Sequence, residues 1–397
     1  MSSFAAIVSL AVLIAPVLAV PTVDLLIDHG AQSSGDINLR TVLAGVSKRK
    51  GQTFHFGSTF DVGDPNQTFN NDVFSAFFNH VVAENGCKWD ATEPTQGNHV
   101  LTSCTGVENF ANTMGITFRG HNTFWHEQLP NWLPGGIGAS QLVNTIIPQH
   151  VTAEISGLGA SVTSWDVANE VVGDGVTNGM TALQCVQNKK VWPTVTSDGS
   201  NTPLVTDLSF LHSAFSAAFK AASPNTRLAL NDFNTGANDA KTACEIAVLK
   251  DIQANTGIPF SNLAIGFQSH IQETFFPSKA ALTQTFATLA GMGVEALITE
   301  LDIKLSSTTQ ADLRFQAAIW GDILDVCLFA SNCNEFINWN TRDDVSFLGV
   351  AAAGTLFDKN GSPKPAAFEV AARLNRFANG GAELCATALG TGSCRVS

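Results

Sequence analysis

Ser161-Val-Thr-Ser-Trp-Asp-Val-Ala-Asn-Glu170 begins as a short apolar, β-branched run and ends abruptly in polar groups. Such a run reads as a strand buried on both faces of a parallel sheet. Asn169 and Glu170 then stand at its C-terminal end, where α/β folds gather their reactive groups. Val294-Glu-Ala-Leu-Ile-Thr-Glu-Leu-Asp302 repeats the design downstream, delivering Glu300 with Asp302 beside it.

Outward from these two, further strand candidates are residues 54–60, 81–84, 116–121, 227–231, 264–269 and 335–339. Amphipathic helical runs, such as 208–222 and 313–329, lie between them. Strands alternating with helices predict a parallel sheet, and eight such units predict a single (β/α)8 TIM barrel with long loops at its C-terminal face. The rival is a doubly wound sheet, but no Gly-x-Gly-x-x-Gly follows the first strand. The segment 171–203, rich in Gly, Thr, Asn, Ser and Pro, reads as an elaborated loop over the barrel mouth.

The 397 residues carry 34 acidic and 21 basic side chains, a net charge of −13. That balance argues against nucleic acid and against an anionic membrane surface. Residues 4–20 form an apolar run ending in Val17-Leu-Ala19, which reads as a signal peptide over 1–19 and predicts secretion. A membrane anchor is the rival, but the run is short and no basic flank follows. Residues 20–52 read as an N-terminal approach segment and 53–397 as the barrel. Within the approach segment, Lys48-Arg-Lys50 reads as a solvated turn, with a processing site as the alternative.

Eight cysteines in a secreted chain predict disulfides. Cys327 and Cys333 should pair, and Cys385 with Cys394 should tie down the tail. Cys87 with Cys104 and Cys185 with Cys244 complete the set. No Cys-x-x-Cys occurs, so no zinc site of that type, and no cofactor, is expected. Asn66 and Asn360 are glycan acceptors by sequence, with Pro363 weakening the second.

Polar clusters recur where candidate strands end: Glu84, Asn85 and Lys88; His121, Trp125 and Gln128; Asn169 and Glu170; Asn231, Asp232 and Asn234; Gln268 and His270; Glu300 and Asp302; Trp339. Each alone reads best as a packed or solvated residue. A barrel would bring all of them to one face, mixing flat aromatic rings with amides, imidazoles and a lysine as sugar binding requires. Two carboxylates on different strands fit glycoside cleavage, in which one attacks the sugar and the other handles the leaving-group proton. No Gly-x-Ser-x-Gly elbow or phosphate loop is present, His126-Glu127 lacks the second His of a zincin, and the chain has no tyrosine.

These motifs resemble glycoside hydrolase family 10, whose typical members are retaining endo-β-1,4-xylanases. The resemblance rests on Glu84–Pro94, His121–Trp132, Trp165–Glu170, Asn231-Asp-Phe-Asn234, Gln268-Ser-His270, Ile298–Ile303 and Pro363-Lys-Pro365. It implies Glu170 as general acid/base and Glu300 as nucleophile, with the carboxyls about 5–5.5 Å apart. It implies that Asn169 holds the 2-hydroxyl of the −1 sugar, and that His270, oriented by Asp302, bonds Glu300. His121, Lys88, Trp125, Gln128 and Gln268 would line the −1 and neighbouring subsites. Glu84 and Asn85 would hold the −2 sugar, and Trp339 would lie under −1. Three positions depart from the family pattern: Phe233 replaces a tyrosine, Asn340 a glycine and Phe347 a tryptophan. The implied partner is xylan or another β-glycoside, such as a plant saponin, bound by a monomer; a non-catalytic carbohydrate-binding barrel is the rival class.

Overall fold

The computed structural model describes residues 38–133, 137–159, 162–189, 207–237 and 239–384. Nine strands occur in chain order: β1 (His55–Thr59), β2 (His80–Val82), β3 (Thr117–Gly120), β4 (Val162–Asn169), β5 (Arg227–Asp232), β6 (Leu263–Phe267), β7 (His270–Gln272), β8 (Glu295–Lys304) and β9 (Glu335–Asn338). Pairing runs β6-β5-β4-β3-β2-β1-β9-β8, all parallel, and β6 also pairs with β8. That last pairing closes an eight-stranded barrel with helices around it, the expected (β/α)8 fold.

Every residue of β6 is buried, as expected of a strand covered on both sides. Gly120 in β3 is required sterically, because a Cβ there would meet the Trp165 ring of β4 at 2.2 Å. Small clusters fill the interior, among them Val82, Ile337 and Trp339. One layer is ionic: the fully buried Arg119 guanidinium bonds Asp166 and Glu335, and Ser164 donates to Glu335 at 2.7 Å. An Arg inside a barrel is tolerable only with carboxylates to pair.

Two features differ from the sequence reading. β8 is ten residues long, and its end, Asp302–Lys304, pairs with the short β7, which periodicity did not reveal. Lys48-Arg-Lys50 is solvated at Lys48 and Arg49, but it is not a free turn. It is the last turn of the helix Arg40–Lys50, whose Leu43 and Val46 join the main core. Lys50 Nζ donates to the carbonyls of Cys327, Leu328 and Ala330, satisfying the end of the helix Gln310–Phe329, and Arg49 bonds the carbonyls of Phe377 and Gly381. Disulfides join Cys87 to Cys104, Cys185 to Cys244 and Cys327 to Cys333. Cys385, Cys394, Ser161 and the expected signal peptide lie outside the described residues. Asn66 and Asn360 are exposed.

Candidate active site

β4 and β5 stand in register with Asn169 opposite Asn231. Immediately after β4 the backbone turns sharply. Glu170 takes a left-handed φ of 57°, uncommon for a residue with a side chain, and its N–H donates to the Asn231 carbonyl at 2.7 Å. The bend aims the half-buried Glu170 carboxyl at its neighbours on adjacent strands. Gln268, just past β6, donates from Nε2 to Glu170 Oε1 and to Asn169 Oδ1, both at 3.1 Å.

Glu300 arrives on β8 and is 4% exposed. Asn231 Nδ2 donates to Glu300 Oε1 at 2.6 Å and to Asn169 Oδ1 at 2.8 Å. Glu170 and Glu300, 130 positions apart in the sequence, are thus the two ends of one chain of side-chain hydrogen bonds through Gln268, Asn169 and Asn231. His270 Nε2 lies 3.2 Å from Glu300 Oε2, and its Nδ1 lies 2.8 Å from Asp302. His121 Nδ1 lies 2.8 Å from Asp166 and 3.9 Å from Glu300.

The electrostatics follow. Burial alone would push the Glu300 carboxyl up. His121 and His270, with the hydrogen bonds from His270 and Asn231, overcome it and hold Glu300 down at about 2. Burial works against a charged His270, but Asp302 and Glu300 outweigh it and push that imidazole up to about 10. Glu300 is therefore a carboxylate and His270 a cation across the neutral range.

The remaining expected residues form the wall beyond β2 and β3, with Trp339 following β9. Lys88 Nζ donates to Gln128 Oε1 at 2.6 Å and to Asn85 Oδ1 at 3.1 Å, and lies 4.8 Å from the centre of the Trp125 ring. Glu84 accepts from Asn340 Nδ2 at 2.7 Å. Burial, reinforced by Asp61 and Asp64, pushes Glu84 up to about 7. Trp339 is buried and meets the His121 and His270 rings edge to face at 5.2 and 6.1 Å. Phe347 is 62% exposed and stands edge-on to His270 at 5.1 Å.

Sequence reasoning gave no role in the site to Asn231, Asp166, His126, Lys189 or Asn340. His126 Nδ1 and Lys189 Nζ each lie 3.8 Å from Glu170 Oε2, and Lys189 sits 4.7 Å from the Phe233 ring centre. Asn231 and His126 were visible as strand-end polar residues; Lys189, inside a loop, carried no such signal. His121, Asp166 and Glu300 also offer clustered metal-ligand atoms, but Arg119 and Asn231 already bond the two carboxylates.

A two-carboxylate site lined by amides, imidazoles and indoles in a barrel mouth suits glycoside hydrolysis. The family described as glycosyl hydrolase family 10 matches residues 43–373. An endo-1,4-β-xylanase of Agaricus bisporus is 31% identical over 301 residues, covering 74% of this chain and 82% of that one. Native xylanase 10B of Thermotoga maritima shares the fold with a TM-score of 0.73 at 24% identity, over 86% of this chain and 99% of that one. An intracellular xylanase of Thermoanaerobacterium saccharolyticum, in mutant form with xylotriose, aligns with a TM-score of 0.68 at 25% identity, over 83% and 97% of the two chains.

Proposed function

The chain belongs to glycosyl hydrolase family 10 and is a glycoside hydrolase, and from that premise we propose that it is a retaining endo-1,4-β-xylanase. The observation that carries the reading is the hydrogen-bonded chain from Glu170 to Glu300, with Glu300 held ionised beside a cationic His270. Glu300 attacks the anomeric carbon of the −1 xylose while Glu170 gives its proton to the departing glycosidic oxygen. A glycosyl ester on Glu300 results. Glu170, now a carboxylate, takes a proton from water, the hydroxide displaces Glu300, and the anomeric configuration is restored.

The other residues take roles around that step. Asn169 has its oxygen committed to Asn231 and Gln268, so its N–H groups serve the sugar 2-hydroxyl. Lys88, Gln128, His121 and Trp125 bind the glycone, Glu84 and Asn85 its next unit, and Trp339 supplies the apolar floor. Asp302 orients His270. The relatives named above support xylan as substrate. The enzyme is a secreted monomer whose N-terminal 1–19 segment is removed, whose residues 20–52 lead into the 53–397 catalytic unit, and whose Asn66 and Asn360 accept glycans.

The test is hydrolysis of linear xylan followed by proton NMR. The reading expects internal cleavage with β-configured reducing ends appearing first. Initial α-product, or no reducing ends at all, overturns it.

A further inference from the structure

A second cluster, including neither Glu170 nor Glu300, lies between the segment after the helix Trp89–Thr92 and the helix Ile147–Ser156. Glu93, His99 and His150 each offer one ligand atom, all within 4.8 Å of one another. Glu93 Oε2 is 3.2 Å from His150 Nδ1 and 3.8 Å from His99 Nδ1. A tetrahedral zinc ion holds nitrogen and oxygen donors at about 2.0–2.2 Å, and hence about 3.3–3.5 Å from each other. The cluster needs only small side-chain shifts to reach that spacing.

Orientation points the same way. A ligating imidazole generally gives its other N–H to a carbonyl or carboxylate, which fixes the tautomer. His150 Nε2 lies 3.0 Å from the Thr123 carbonyl and 3.3 Å from Glu154. Its Nδ1 is buried, faces Glu93 and makes no aligned hydrogen bond. Trp89 stacks on the ring at 4.3 Å and holds its plane. Glu93 is itself fixed by the N–H groups of Trp89 and Gly97. The buried imidazole thus lies between two buried carboxylates, Glu93 and Glu154, with its Nδ1 toward the first and its Nε2 toward the second. His99, 25% exposed, borders an open groove of about 890 Å³ shared with Gly97, Asn144 and Gln149, which supplies an entry path.

We propose that Glu93, His99 and His150 form a zinc site whose fourth position opens to the groove. The ion would tie the segment carrying His99 to the helix carrying His150, and so brace Trp89 next to Lys88.

The test is calorimetric titration of chelator-treated full-length protein with zinc chloride, using wild type, His99→Ala and Glu300→Gln. The expected result is one equivalent bound by wild type and by Glu300→Gln, at least tenfold weaker binding by His99→Ala, and a zinc-dependent rise in melting temperature that His99→Ala lacks. Apo His99→Ala should melt, and hydrolyse β-xylosides, like apo wild type. No zinc uptake, uptake indifferent to His99→Ala, or uptake lost in Glu300→Gln, which would place the ion among the catalytic groups, overturns the proposal.

Discussion

His270 and Asp302 are direct register partners across β7 and β8, and the His270 Nδ1 lies 2.8 Å from the Asp302 carboxylate. The pairing fixes the other ring nitrogen on Glu300. In the proposed mechanism Asp302 therefore acts on Glu300 through His270, by holding the imidazole in place and keeping it charged.

The Glu300–His270 pair should set the acid side of the pH profile. As the proposed nucleophile Glu300 attacks only when ionised, and a carboxyl held down at about 2 puts that limit well below the ordinary carboxylate range. His270→Gln keeps a donor but removes the charge. The acid limb of kcat/KM should then move up by about 1–2 pH units. A limb that stays in place would mean that His270 does not tune Glu300.

Stability should follow the same pair in defined windows. His270 is raised above 6.5, so its contribution is whole below pH 6.5 and is lost as pH climbs through about 10. Glu300 is depressed below 4.5, so its contribution is present above pH 4.5 and is lost as pH falls towards about 2. The melting-temperature gap between wild type and His270→Gln should be widest between pH 4.5 and 6.5 and narrow on both sides. A gap independent of pH would assign His270 a packing role only.

The two proposed catalytic carboxylates, Glu170 and Glu300, should separate by leaving group. Glu170→Ala removes proton donation, which is worth roughly 10²–10⁴-fold on xylan. An aryl xylobioside with an acidic phenol needs little proton help and should lose far less in its first step. Glu300→Ala should lose turnover on both substrates. Equal losses for Glu170→Ala on both, measured by pre-steady-state phenol release, would remove it from the acid role.

Much of this site was legible because its residues sit at strand ends, where the jump from apolar to polar marks both the strand and its chemistry. Trp165–Glu170 and Ile298–Asp302 announced themselves that way. The structure also explains one departure from the family pattern. Asn340 takes a φ of 65°, a conformation that glycine adopts freely and asparagine tolerates, and its amide bonds Glu84. The helix-end role of Lys50 was hidden because its three carbonyl partners lie some 280 residues away. Strand β7 is three residues long, too short for any periodicity to register. Lys189 reaches Glu170 by a path that only the folded loop defines.

Glu84 offers a test on the glycone side. Raised to about 7 by burial and by Asp61 and Asp64, it changes charge in the neutral range. Below pH 7 it can donate to a sugar hydroxyl, and above it can only accept. KM for a glycone-extended xylo-oligosaccharide should therefore shift across pH 6–8. Asp64→Asn removes one repelling charge, lowers the Glu84 pKa and should carry that transition to lower pH. A transition unmoved by Asp64→Asn would assign it to another group.

The Cys185–Cys244 bridge ties the loop after β4 to the helix Ala240–Thr256 and closes a separation of 59 residues. The helix Ala182–Asn188 carries Cys185 and ends one residue before Lys189, which stands 3.8 Å from Glu170. Loop-closure entropy for that length corresponds to about 4 kcal/mol. The Cys185→Ser/Cys244→Ser double variant should therefore melt several degrees lower. It should also lose kcat on xylan more than on an activated aryl glycoside, because the loosened loop no longer sets Lys189 against Glu170, the proposed proton donor, whereas Glu300 keeps its partners Asn231 on β5 and His270 on β7. A double variant with a lowered melting temperature but equal kcat on both substrates would confine the bridge to stability and detach Lys189 from the proton-transfer step.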